Sequence, residues 1–549
     1  MKQWWKSGAP WIWLNGGAVA ISMIMVFGLL LMILTRGFGA FWPHAVFETT
    51  YALPGAQPER IIGERRRSET LTAEAMRDAG LDIPQEQRLV TRHLVKMGNR
   101  DVTGRDFGFF VEDFMEPWQY PEDVAVLERR EWGDFYGTPL RLMEDGNPVA
   151  TDDLWAEFKQ RLARSNALYD EIRQIERVDI GRINFQIERV RLDRRRAVMR
   201  DTLTPELEAE LAERRAALDE GYAELEQRLN DLYEAAGRDS IMMRVADGRE
   251  VTIRLADTVK AWQPNNMSIP AKVWFYVVAF KDFIFGYPRE ANTEGGIFPA
   301  IFGTVVMVLV MSIIVTPFGI LAAIYLREYA RQGPLLRMVR ISVYNLAGVP
   351  SIVFGVFGLG FFVYFVGSSI DQVFYPEALP APTFGTPGLF WASLTLALLT
   401  LPVVIVSTEE GLARIPSTIR QGSLALGATK GETLWKVVVP LATPAMMTGL
   451  ILAIARAAGE VAPLMLVGVV KLAPTLPIDG NFPFIHLERK IMHLGFHIYD
   501  VGFQSPHAEA AEQLVYTTAL VLVLLILVLN LSAITIRNHL REKYRAESD

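Results

Sequence analysis

Cysteine is absent from all 549 residues. That excludes disulfides, thiolate catalysis and cysteine-ligated metals, and leaves the compartment open. Also missing is any G-x-x-x-x-G-K-[ST] phosphate loop. Gly427-Ala428-Thr429-Lys430 echoes only its end, so ATP and magnesium are expected on a different subunit. No nucleophile–base pair stands out, so no catalytic residue is assigned and an enzyme is not expected. A net charge of −7 argues against nucleic acid as a partner.

Apolar surface is what the chain has in excess. Half of it is hydrophobic and its mean hydropathy is +0.19. The charged 21% concentrates at about 55–254, which frees the rest for lipid. A helix needs about 20 apolar residues to cross roughly 30 Å of hydrocarbon. Six stretches reach that length, at about 11–34, 297–326, 339–367, 389–406, 442–470 and 514–536. Lys2 and Lys6 before the first would suit a signal peptide, but the run is long for one and no A-x-A site follows. An uncleaved anchor is expected, with Trp4, Trp5, Trp11 and Trp13 as an interfacial aromatic belt.

Orientation follows from Lys and Arg in short loops. Arg327, Arg331, Arg337 and Arg340 follow the second stretch, Arg414, Arg420, Lys430 and Lys436 the fourth, and Arg537, Arg541, Lys543 and Arg545 the last. The loop after the third, about 368–387, carries Asp371 and Glu377 but no Lys or Arg. Both termini are therefore expected in the cytoplasm and the block 37–294 in the periplasm of an inner membrane. The fold class expected is an all-α membrane bundle of six spans with a periplasmic α+β insert. Its parts are residues 1–36, 37–294, 295–537 and a cytoplasmic tail 538–549.

The insert reads as a helical hairpin over about 152–236. Leu154, Phe158, Leu162, Leu168 and Ile172 recur at helical spacing. Thr204-Pro205-Glu206 reads as a helix start, with Thr204 at the N-cap and Pro205 first inside. Two apolar runs about Ala246-Asp247-Gly248-Arg249 predict a β-hairpin over about 241–255. Arg194-Arg195-Arg196 reads as a solvated helix face with acidic neighbours. The insert's expected role is mechanical or docking.

Between the fourth and fifth spans, in a loop at about 414–440, lies Arg420-Gln421-Gly422-Ser423-Leu424-Ala425-Leu426-Gly427. Nine residues later come Val437-Val438-Val439-Pro440. This resembles the EAA loop of bacterial importer permeases, E-A-A-x3-G-x9-I-x-L-P, which docks a short helix in a groove on an ATPase. Gly427 and Pro440 match the pattern. Gln421 replaces its Glu, and Gly422 and Ser423 its alanines. Leu424, Leu426 and Leu434 would anchor in the partner's groove, and Gly427 would permit a sharp turn.

In the fifth span, Arg456-Ala457-Ala458-Gly459-Glu460 places two opposite charges four apart in an apolar run. Ionisable groups there face a cavity or a partner, and a guanidinium offers a planar fork matched to oxyanions. An anion pathway is expected, with Glu460 pairing Arg456 when no substrate is bound. A merely structural pair is the alternative. Arg-Ala-x-Gly-Glu resembles the phosphate permeases. So do Gly295-Gly296-Ile297-Phe298-Pro299-Ala300-Ile301-Phe302-Gly303-Thr304 and Ala322-Ala323-Ile324-Tyr325-Leu326-Arg327-Glu328-Tyr329. The segment from Ala322 to Tyr329 and Asn345-Leu346-Ala347-Gly348-Val349-Pro350-Ser351-Ile352-Val353-Phe354-Gly355 are similar to the PstA branch. The resemblance covers about 295–537 and leaves the insert out. It implies a type I (MetI-like) permease of a high-affinity phosphate importer. It also implies a PstC-type permease, a PstB-type ATPase dimer and a PstS-type phosphate-binding protein as partners, and a link to phosphate signalling. A permease for sulfate or molybdate, or a membrane sensor reading through the insert, are the alternatives. The sensor lacks a visible output domain.

Two further clusters carry blander readings. His493 and His497 lie four apart near His486 and Glu488. The spacing could hold a metal, but an interfacial helix over about 485–499 with polar tips toward water is expected, and no metal is assigned. Glu409, Glu410 and Arg414 are expected to form a helix-end salt-bridge cluster.

Overall fold

In this computed structural model residues 7–504 and 508–546 are described. Lys2, Trp4, Trp5 and Lys6 lie outside the described residues. The chain divides into two units, Met1–Ala40 with Ile297–Asp549, and Phe41–Gly296.

Among the described residues the first unit contains six helices long and apolar enough to cross a membrane: Trp11–Phe38, Phe298–Tyr329, Ser351–Phe374, Leu389–Ala413, Lys430–Gly459 and Glu512–His539, here spans 1 to 6. The most apolar 18-residue stretch of span 1 is unburied, as a helix facing lipid would be. Span 4 is the central one. Its Ala392, Leu396, Leu399 and Val404 pack with Met307, Met311 and Val315 of span 2 and Ala453, Ala457 and Ala458 of span 5. Small residues let these helices approach closely where lipid gives no hydrophobic drive between them. A Cβ on Gly319 would meet Val404 Cγ1 at 2.6 Å.

Two spans differ from the expected boundaries. The apolar run starting near residue 339 is broken. Pro334–Leu346 is a separate amphipathic helix, and span 3 starts only at Ser351, behind Pro350 in an extended conformation (ψ 135°). Proline lacks an N–H and disfavours helix at the residue before it. Span 5 begins at Lys430, twelve residues before the expected 442, and ends at Gly459. Glu460 is extended (φ −78°, ψ 133°), and after Pro463 only the short helix Leu464–Val467 follows.

The second unit is richer in strand than the helical hairpin foretold. Val46–Tyr51, Glu59–Thr72, Leu89–Lys96 and Phe107–Val111 form an antiparallel four-stranded meander. A six-stranded sheet runs Thr258–Trp262, Ala125–Arg129, Asp134–Glu144, Asp239–Arg244, Glu250–Arg254, with Asn147–Pro148 paired to the third. The last two long strands are the predicted β-hairpin, turning through Gly248 at φ +87°. The helical arm consists of Leu154–Gln174 continued through Ile175–Asp179 into Ile180–Met199, and Pro205–Gly237 returning. Ile172 and Ile175 pack on Leu232 and Ala236. Thr204 Oγ1 accepts from the Leu207 N–H at 3.2 Å, and Pro205 opens the helix. In the basic run, Arg194 pairs with Glu208 at 2.6 Å and Arg196 with Asp193 at 3.3 Å, a solvated helix face. The helix Ile269–Phe285 was not foreseen.

Candidate functional site

Arg456 lies in the last turn of the helix Val439–Gly459, where a cation is stabilised by the helix dipole. Its Nε meets Glu460 Oε1 at 3.4 Å, a weak contact by length. Glu460 stands just beyond the helix end, so the pair is made by a turn of extended backbone and not along one helix face as expected. The Arg456 side chain is one-third exposed. Its two terminal nitrogens have no hydrogen-bond partner among the described residues. A long, single contact to Nε leaves the forked end of the guanidinium open to an oxyanion.

The segment after Glu460 is wedged into the bundle. A Cβ on Gly355 of span 3 would lie 2.7 Å from Pro463 Cα and 2.9 Å from its carbonyl oxygen. Leu464 and Val467 are fully buried, and the Val467 carbonyl accepts from the Gly388 N–H at 3.0 Å. Arg456 is thus held from one side by a helix and from the other by a packed turn.

The loop between spans 4 and 5 is a helix, Ser417–Ala425, ended at Gly427 with φ +86°. The Gly427 N–H donates to the Leu424 carbonyl and the Ala428 N–H to that of Ser423, a Schellman motif. Thr429 and Glu432 then make a capping box that opens the helix of span 5. Gln421, Gly422 and Leu424 are exposed, and Leu426 stands 92% exposed. Ser423 Oγ bonds Thr433 Oγ1 at 2.8 Å, and Pro440 sits in the first turn of Val439–Gly459. Leu434 departs from expectation. It is buried with Ile324, Leu412, Ile415 and Val438, so it holds the loop to its own chain and offers no anchor.

The loop is also tied by charge. Arg420 donates to Glu328 at 2.8 Å and to the Leu412 and Ile415 carbonyls at 2.8 and 2.7 Å. Lys430 Nζ donates to the Glu328 carbonyl at 2.5 Å. The expected cluster at the end of span 4 is rearranged: Glu409 pairs with Arg340 at 2.5 Å, while Glu410 and Arg414 are exposed. Sequence spacing could not supply Arg340 and Glu328 as partners, because both pairs bridge distant segments.

The helix expected over 485–499 is only Leu494–Tyr499. His486, His493 and His497 are buried, so their tips do not reach water. His493 caps that helix through Nδ1. Burial lowers the pKa of His493 and of His497 to about 4. Among the described residues no group of three or more metal-ligating side chains forms.

Residues 315–546 match the family described as binding-protein-dependent transport system inner membrane component. The phosphate transport system permease protein PstA of Mycobacterium leprae is 36% identical over 225 residues, covering 40% of this chain and 68% of the relative. PstA 1 of Mycobacterium tuberculosis is 34% identical, covering 44% and 71%. The chain belongs to the PstA family of phosphate transport permeases. A PstA-family chain is a multi-pass membrane component of a transport system and not itself an enzyme. Residues 41–296 lie outside the segment that matches the wider transport family. An inward-facing methionine ABC transporter, MetNI, aligns over 50% of this chain and 99% of its own at 19% identity, with a TM-score of 0.32.

Proposed function

We propose that this chain is a permease subunit of an ATP-driven, high-affinity importer of inorganic phosphate, with Arg456 on the anion's path. The observation that carries Arg456 is its open guanidinium fork at the end of span 5, beside a carboxylate that contacts only Nε. An arriving phosphate offers the fork two oxygens, and Glu460 repels anions that do not fill that geometry. The importer reading is supported by the family relationship.

In this reading a PstC-type permease completes the pathway. The helix Ser417–Ala425 with Leu426 docks on a PstB-type ATPase dimer that carries ATP and magnesium. A PstS-type protein delivers phosphate, and a regulator reads the complex for phosphate signalling. The basic loops after spans 2, 4 and 6 support a reading with those ends and both termini in the cytoplasm. The segment between spans 1 and 2 then lies in the periplasm, where it could meet the binding protein. ATP-driven closure moves the loop helix and, through span 5, the turn that holds Arg456.

The test is uptake of labelled phosphate by cells carrying Arg456→Ala or Arg456→Lys, with membrane assembly checked for each. Collapse of uptake with assembly intact supports the assignment, and Lys separates charge from fork geometry. Normal uptake in both removes Arg456 from the pathway. Competition by sulfate or molybdate as strong as by phosphate would move the substrate to another oxyanion.

A further inference from the structure

A cavity of about 500 Å³ opens beside the ends of spans 4 and 6 and the stretch Leu441–Thr448 of span 5. That size lies within the roughly 300–1,000 Å³ of small-ligand pockets. Arg414, the residue after span 4, and Arg537, near the end of span 6, form its cationic wall. Ile419 and Leu441 also line it and are themselves more than one-third exposed.

Two neighbouring arginines are neutralised. Arg340 and Arg420 each hold a carboxylate. Among the described residues neither Arg414 nor Arg537 has one, and Arg537 has only the neutral Asn538 Oδ1 at 3.4 Å. Two uncompensated cations facing one cavity at the edge of the hydrocarbon repel each other and attract an anion. Guanidinium forks fit phosphate oxygens, and basic pockets between helix ends at this level suit lipid headgroups.

We infer that this cavity seats the phosphate group of an anionic phospholipid, with Arg414 and Arg537 on its oxygens and acyl chain along Ile419 and Leu441. Free inorganic phosphate would present the same oxygens. It has no apolar part to cover Ile419 and Leu441, which is why the lipid is the better occupant. The site is separate from Arg456 and its role does not depend on which anion is transported.

Native mass spectrometry of the purified full-length chain, titrated with phosphatidylglycerol and with phosphatidylcholine, tests this. The anionic lipid is expected to bind more tightly. Arg414→Gln and Arg537→Gln should each weaken it about fivefold, as expected for one surface-level cation. The corresponding Lys variants should retain most of the affinity and serve as controls for folding. Equal binding of the two lipids, or an unchanged preference in the double Gln variant, overturns the inference. If inorganic phosphate displaces the lipid, or binds in its place only when both arginines are present, the cavity is a free-phosphate site and the lipid assignment fails.

Discussion

Arg420 of the loop helix and Glu328 at the end of span 2 are 92 positions apart and meet at 2.8 Å. Their side chains are only 21% and 12% exposed, so solvent screens the pair weakly. A displacement of the loop helix is therefore passed to span 2 as well as to span 5. Hydrogen bonds to charged groups contribute about 1.5–3 kcal/mol, and a double-mutant cycle over Glu328→Gln and Arg420→Gln should return a coupling energy of that order in thermal unfolding. In the assembled transporter, either variant should lower phosphate uptake more than ATP hydrolysis. Equal losses in both would assign the pair to folding alone.

Leu426 is the loop's most exposed apolar side chain, and Gly427 behind it sets the turn. Leu426→Asp should abolish co-purification with the ATPase while changing the chain's own stability by less than about 0.5 kcal/mol, since a surface change removes no internal contact. Gly427→Ala should cost about 1–2 kcal/mol because an L side chain is disfavoured at positive φ. Pull-down and thermal unfolding separate the two effects. Leu434→Asp, by contrast, should destabilise the chain itself.

In the second unit, Glu294 is a pH-sensitive element. Its Oε2 is shielded from solvent and has no hydrogen-bond partner among the described residues. Burial, then Asp134 and to a smaller extent Glu128, push its pKa up to about 8, against the opposing pull of Lys96 and Arg289. The folded state therefore holds a proton that the unfolded chain releases near 4.5. Stability from this group is full below about pH 4.5 and is lost as pH rises toward about 8. Glu294→Gln keeps the shape and removes the titration. Thermal unfolding of the full-length chain should show a downward slope over that range in the wild type and a flatter one in the variant.

The bundle was legible because a bilayer demands long apolar runs, and six were present. Where those runs begin and end was less so. Pro350 and the turn at Glu460 break helices inside segments that hydropathy reads as continuous. The strand Glu59–Thr72 carries seven charged residues in fourteen and gives no apolar alternation. Its pairing on both sides, with Val46–Tyr51 and Leu89–Lys96, makes it a strand. In the candidate site, the turn at Gly427 could be read from residue type and spacing. The burial of Leu434, the pairing of Glu409 with Arg340 and the enclosed histidines could not, because packing from distant segments decides them.

Gly355 is the residue through which span 3 bears on the turn that carries Glu460. The contact is with the backbone of Pro463, which cannot rotate away as a flexible side chain could. Gly355→Ala must therefore separate span 3 from the turn or shift the turn itself, and in a packed interior either move costs typically 1–3 kcal/mol. Since Glu460 lies three residues before Pro463, a shift of the turn alters the Arg456–Glu460 distance. Phosphate uptake by Gly355→Ala should fall several-fold at membrane levels close to wild type, whereas Gly360→Ala should be nearly neutral, having nothing within 4 Å of its built Cβ. Equal uptake by the two variants would show that the turn absorbs the added methyl without disturbing Arg456.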